Sequence, residues 1–158
     1  MKNLTAEELI RIYGLKPHPE GGFYRETYRS SGKTEGGRNL CTAIYFLLPA
    51  GQKSRMHRLK ADELWDFYLG GPLTVGQLLP NGLEERVTMG SDPAAGQVQQ
   101  LLVPAGCWFG AYPEPGTRFS LVGCTVAPGF EFDDFELRGR AALLRDFPAS
   151  GGLITKLT

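Results

Sequence analysis

The sequence predicts an all-β domain, a sandwich or barrel with a short helix at each end. Three observations carry that expectation. Glycine (21 residues) and proline (11) recur between short apolar runs, which is the punctuation of many tight turns. Several runs are strand-like: Leu40–Leu48 and Phe119–Val126 are near-continuous in β-type apolar residues, and Glu63–Tyr68 alternates between two faces. Asn81-Gly82, between two such runs, is a strong hairpin signal.

Thr5-Ala-Glu-Glu8 reads as a capping box, with Leu4 and Leu9 placed to staple the chain entering a helix. Leu9, Ile12 and Tyr13 give that helix one apolar face, and Gly14 suits its left-handed stop. The segment His18-Pro-Glu-Gly-Gly22 is an irregular turn, after which Phe23–Arg29 reads as a strand. On it Phe23, Arg25, Thr27 and Arg29 alternate with Tyr24, Glu26 and Tyr28. A polar loop over residues 31–39 leads to the apolar strand Leu40–Leu48. Strands follow at Glu63–Tyr68, Leu73–Leu79, Leu83–Met89, Val98–Val103 and Phe119–Val126, with a turn expected to present Cys107, Trp108 and Phe109. Phe130–Leu137 alternates aromatics with acids before slipping register at Asp133-Asp134. Arg140–Phe147 reads as the closing helix, stopped by Pro148, and the tail beyond is ordered only if it docks. In all, about eight to ten strands form one domain over residues 1–158.

Seventeen basic residues balance seventeen acidic ones with no basic block, so no nucleic-acid partner is expected. No apolar run approaches the roughly 20 residues that cross a bilayer, and MKNLTAEELIRIYG lacks the apolar core of a signal peptide. Cys41, Cys107 and Cys124 are odd in number and form no C-x-x-C, which suits reduced thiols in a cytoplasmic protein.

The chemistry concentrates between Gly51 and Gly70. Glu63, Trp65 and Phe67 share one face of their strand, and an acid beside rings on an inward face is the make-up of a ligand pocket. The spacing of Gly51, His57, Glu63 and Gly70 resembles the first motif of the cupin superfamily, G-x5-H-x-H-x3-E-x6-G, which supplies metal ligands inside a small barrel. Here Leu59 stands at the second histidine, and after Pro104-Ala-Gly106 the later motif's histidine position holds Phe109. Two ligand positions remain, His57 and Glu63, and metal sites normally take three or more protein ligands. No cofactor is therefore expected. A divalent metal would rest on His57 and Glu63, completed by a distant group such as Glu131 or His18.

A wider set of residues resembles one group of cupin-like proteins, DUF985 (Cupin_5): His18–Arg29, Asp62–Gly70, Val103–Gly106, Gly123–Phe130 and Phe135–Leu137. The resemblance implies a cupin-type double-stranded β-helix (a jelly-roll barrel), usually a homodimer. It extends distantly to the dTDP-4-dehydrorhamnose 3,5-epimerases. Gly22 and Glu26 fit their opening strand and His57 their base, while no tyrosine stands at Ala127–Phe130 where their acid lies.

The sequence thus points to a barrel binding a sugar- or nucleotide-sugar-like ligand, as an epimerase or isomerase abstracting a proton next to a carbonyl. In that reading His57 is the base and Glu63 its partner, while Trp65, Phe67 and Phe109 wall the ligand. Tyr24, Arg25 and Glu26 sit at the mouth, from the same chain or from the other subunit of a homodimer joined at an edge strand. The alternatives are a non-catalytic metabolite-binding cupin, in which His57 and Glu63 satisfy each other, and a metal-dependent cupin enzyme.

Overall fold

A computed structural model describes residues 4–158, so the first three residues of the N-terminal stretch read above lie outside the described part. The chain forms two antiparallel sheets packed as a jelly-roll barrel. After α1 (Ala6–Tyr13) come β1 (Lys16–Pro17), β2 (Phe23–Arg29), β3 (Thr42–Pro49), β4 (Ser54–Arg58) and β5 (Asp62–Gly70). They are followed by β6 (Leu73–Leu78), β7 (Glu84–Met89), β8 (Gln100–Val103), β9 (Trp108–Pro113), β10 (Phe119–Ala127) and β11 (Glu136–Leu137). The helices α2 (Arg140–Asp146) and α3 (Gly151–Leu157) close the chain. One sheet runs β1-β2-β3-β10-β5-β8 and the other β11-β4-β9-β6-β7. Among the described residues, no helix is long and apolar enough to cross a membrane.

The expected N-terminal helix forms as its sequence dictates. Thr5 Oγ1 accepts from the Glu8 amide, the Glu8 carboxylate accepts from the Thr5 amide, and Gly14 ends the helix in the left-handed region. Two other expectations are corrected. Trp108 and Phe109 open a strand, β9, because the turn ends earlier, at Gly106. Phe130–Leu137 is no continuous strand: a short 3-10 turn at Phe132–Asp134, where the register slips, leaves only Glu136–Leu137 paired, to β4. The tail does dock, as its order requires, and forms a second C-terminal helix. Leu153, Ile154 and Leu157 of α3 are fully buried with Leu143 of α2 and with Met56, Leu78 and Trp108 of the neighbouring sheet. Gly76 on β6 makes room for it, since a Cβ there would lie 2.5 Å from Leu153. This docking explains why all of β6 is buried.

The register sorts side chains into rungs facing the barrel interior. One rung is Tyr24–Phe46–Val122–Phe67, the next Glu26–Ile44–Cys124–Trp65, and the last Arg29–Thr42–Val126–Glu63. Arg29 reaches the inner side because β2 slips register between Glu26 and Tyr28. A second irregularity, between Ser54 and His57 in β4, turns His57 inward opposite Phe109 and leaves Met56 against the helices. Without these bulges, simple alternation would put both groups on the other face.

Leu153→Ala would remove a fully buried side chain from the helix–sheet seam. It is expected to cost about 2–5 kcal/mol, read as a lower urea midpoint with an unchanged slope.

Candidate functional site

The barrel's interior is packed at one end and open at the other. Trp65, Phe109, Leu73, Val75 and Met89 fill the closed end. The open end is a cavity of about 270 Å³ whose lining includes His18, Glu20, His57, Glu63 and Cys124. Its wall is built from Tyr24, Ile44, Phe46, Phe130, Phe132 and Phe135, and its rim from Lys16, Glu26, Arg29 and Glu131.

Glu20 reaches this cavity because the chain folds back on itself before β2. His18 N–H donates to Gly22 O and Gly21 N–H to His18 O, both at 3.0 Å. The two glycines are required here. Both have positive φ, and a Cβ on Gly21 would fall 2.1 Å from Lys53 O, one on Gly22 2.7 Å from Leu47 O. The Arg55 backbone N–H and guanidinium pin the turn by donating to Glu20 O and Pro19 O. Glu20 is thereby carried into the barrel, 6 % exposed.

Four side chains meet on the floor. The Ser54 hydroxyl donates to Glu20 Oε1 at 2.7 Å. Glu20 Oε2 lies 3.2 Å from His57 Nε2 and 3.4 Å from His18 Nδ1. His57 Nδ1 is 2.7 Å from Arg55 O and must donate to it, since a carbonyl only accepts. His18 Nδ1 accepts from the Glu20 amide at 3.2 Å. In its neutral form His57 therefore turns its Nε2 lone pair towards Glu20 Oε2 and is satisfied by a proton on that oxygen, while the one lone pair of His18 Nδ1 is taken by the Glu20 amide. Burial acts in the same sense: it raises the Glu20 carboxyl and lowers both imidazoles.

Glu63 is the exception. It is 7 % exposed and its Oε2 has no hydrogen-bond partner. Burial pushes its pKa up to about 7, and the neighbouring Trp65 and Cys124 side chains act in the opposite sense. A buried carboxyl that titrates near neutrality, facing a cavity, is a poised proton donor or acceptor.

The residues expected from sequence divide accordingly. His57, Glu63, Tyr24 and Glu26 line the cavity. Arg25 does not: it pairs with Tyr45 on the outer side of its sheet, its guanidinium 6.0 Å from the Tyr45 ring centroid. The aromatic wall is also different. Trp65 and Phe109 are core residues beneath the floor, each 1 % exposed, with Phe109 supporting His57 at 4.1 Å between ring centroids. Phe67 packs against that core and lines no part of the cavity. The rings that do line it come largely from the 130–135 segment. The partner expected for His57 changes too, because Glu20, not Glu63, is in contact with it. No motif in the sequence marks Glu20. The signal was present in an acid held between a proline and two glycines.

Arg29 fastens the aromatic segment over the site. It donates to both Glu26 oxygens, at 3.0 and 2.9 Å, to Glu131 at 2.7 Å, to Asn39, and to Phe130 O. Arg38 holds the far side through Asp134 and Gly129 O.

A metal fits these residues poorly. Leu59 and Phe109 put carbon at the two motif positions that would donate, and His18 Nδ1 already receives the Glu20 amide. Among the described residues, no group of three or more His, Cys, Asp or Glu side chains is arranged to hold an ion.

Comparison with known proteins identifies the same architecture. The family model Cupin_5, described as cupin superfamily (DUF985), matches residues 7–138. A crystal structure of a Shewanella oneidensis protein superposes with a TM-score of 0.93 at 45% identity over 98% of both chains. A hypothetical protein from Leishmania major gives 0.91 at 35% identity, over 98% of this chain and 99% of its own. An uncharacterized protein of Saccharomyces cerevisiae is 30% identical over 148 residues, covering 82% of this chain and 73% of its own.

The state of Glu63 makes stability depend on pH. In acid both the folded and the unfolded chain hold its proton. As pH rises towards about 7 the unfolded chain releases it first, so stability falls across that interval and stays lower above it. Glu63→Gln cannot titrate. It is expected to exceed the wild type in stability by up to about 3 kcal/mol near pH 8, with the gap closing near pH 4. Urea unfolding at both pH values measures this, and an equal gap at the two would refute it.

Proposed function

The chain belongs to the Cupin_5 family of the cupin superfamily (DUF985), and from that barrel and its floor we propose that the protein binds a sugar-sized ligand in the cavity and moves a proton on it. The single observation behind this reading is the Glu63 carboxyl, buried, unpartnered and titrating at about 7. A volume of about 270 Å³ suits a monosaccharide and leaves any nucleotide outside, being below the roughly 300–1,000 Å³ of sites for larger ligands.

The reaction class is proton abstraction next to a carbonyl, as in isomerisation or epimerisation. We give Glu63 the role of base, because its free oxygen is the one ready to accept a proton. The C–H bond breaks, its electron pair moves onto the carbonyl oxygen, and the proton held between Glu20 and His57 stabilises that oxygen by hydrogen bonding. Return of a proton to carbon completes the step. His57 then acts through Glu20, held in a fixed tautomer by Arg55 O. Epimerase-like chemistry of this kind would need no metal, and the partner in a homodimer would add only to the rim.

Proton NMR of simple keto-sugars incubated with the protein in D2O tests the proposal. Wild type is expected to wash deuterium into the carbon next to the carbonyl, and Glu63→Gln to slow this by about 10²–10⁴-fold. Full exchange in Glu63→Gln would remove Glu63 as base. A ligand-dependent rise in melting temperature without any wash-in would make the protein a non-catalytic binder.

A further inference from the structure

The charges around the cavity say what kind of ligand enters. Among the described residues its lining holds four carboxyl groups, on Glu20, Glu26, Glu63 and Glu131, against two permanent cations, Lys16 and Arg29. Arg29 is spent: both Glu26 oxygens, Glu131, Asn39 and Phe130 O occupy its donors. Lys16 stands at the rim, exposed, with its ammonium 5.1 Å from the Tyr24 ring centroid. Among the described residues, Lys16 is the one permanent cation of the lining without an ion-pair partner, and it lies at the rim, not on the floor. A phosphate or carboxylate on the ligand would meet buried acids and aromatic faces, and nothing there would offset its lost hydration.

A positive charge finds the reverse. The Glu63 side chain, more than nine-tenths buried, lines the cavity, and its Oε2 has no hydrogen-bond partner. Phe46, Phe130, Phe132 and Phe135 give the cavity an aromatic lining, and aromatic rings attract ammonium groups. The chain itself provides the precedent at the rim, where the Lys16 ammonium rests over Tyr24.

We propose that the cavity selects a small organic cation, a ligand bearing a protonated amine or ammonium that is seated among the phenylalanines with its charge on Glu63. The inference rests on reading this cavity as the ligand site, not on Glu63 acting as base: a carboxylate held by an ammonium is not free to take a proton from carbon, and the two roles are separated by the experiments.

Calorimetric titration of the whole chain with D-glucosamine, N-acetyl-D-glucosamine, D-glucose and D-glucose 6-phosphate varies charge on one framework, and choline adds an ammonium without sugar contacts. Glucosamine is expected to bind at least about tenfold tighter than glucose or its acetylated form, with the phosphate weakest. Choline is expected to bind too. Glu63→Gln should erase the preference for the amine, and Phe132→Ala, altering an exposed ring of the 130–135 segment, should weaken choline more than glucose. Equal affinity for amine and neutral sugar, tightest binding of the phosphate, a preference that survives in Glu63→Gln, or no binding of either cation would each overturn the inference. Neutral sugars that bind while both cations fail would do so and leave the cavity reading intact. That reading is decided separately, by keto-sugar exchange.

Discussion

A carboxyl group wedged between two imidazoles sets the terms for the open end of this barrel. Glu20 is too deeply buried to hold a charge cheaply, and an isolated buried carboxylate would cost several kcal/mol. Burial raises the Glu20 carboxyl and lowers both imidazoles, which favours the uncharged forms, and the His57 Nε2 lone pair faces Glu20 Oε2 where a carboxyl proton sits. Everything around it serves that arrangement. The Gly21-Gly22 turn admits the chain close to Lys53 and Leu47, Ser54 closes the second oxygen, and Arg55 holds both the turn and His57. A polar cluster of this kind cannot be packed over with aliphatic side chains without orphaning an atom. The aromatic segment that spans it instead leaves a cavity.

Irregular backbone, more than regular strand, positions the site. The slip in β2 brings Arg29 to the inner rung where it can fasten residues 130–131, and the slip in β4 turns His57 towards Phe109. Each bulge moves one functional group across the sheet while the hydrogen-bonded ladder continues on either side. The closed end of the barrel has the opposite character, with Trp65 and Phe109 crossing edge to face beneath His57. A rigid floor under a lid held by ion pairs is a sound division of labour: the floor fixes proton-handling groups, and the lid rests on contacts that solvent can weaken.

The fold was legible because its signals are local. Turn residues, the Asn81-Gly82 hairpin, the capping box and period-two alternation in β5 each act within a few positions, and the inward placing of Glu63 and Trp65 followed from that alternation. The same alternation separates Arg25 from Tyr24 and Glu26 and sends it to the outer side of the sheet, against Tyr45. Other features depended on distant partners. Nothing near Arg29 or in Ser54–His57 announces a bulge, and the tail LITKL becomes a helix only because Gly76, far away in sequence, leaves space for Leu153. The roles of His18 and Glu20 were hidden for a similar reason, since a turn's shape decides what its side chains reach.

The two floor carboxyls illustrate how environment divides one chemistry into two roles. Glu20 and Glu63 are the same residue type at similar depth, and burial raises both. Glu20 has the His57 lone pair beside it, which fixes where its proton lies. Glu63 has an oxygen with no partner and titrates near neutrality, so it can be found with or without its proton at working pH. An enzyme that must donate and accept within one turnover needs such a pair, held close but in unequal surroundings. Leu59 and Phe109 sharpen the contrast. With carbon at two positions where the general cupin motif has histidines, the polar groups on the cavity floor are the two carboxyls and the two imidazoles. Of the two carboxyls, Glu63 is therefore the one whose state a ligand can change, and the chemistry of the cavity follows from what is brought to its free oxygen.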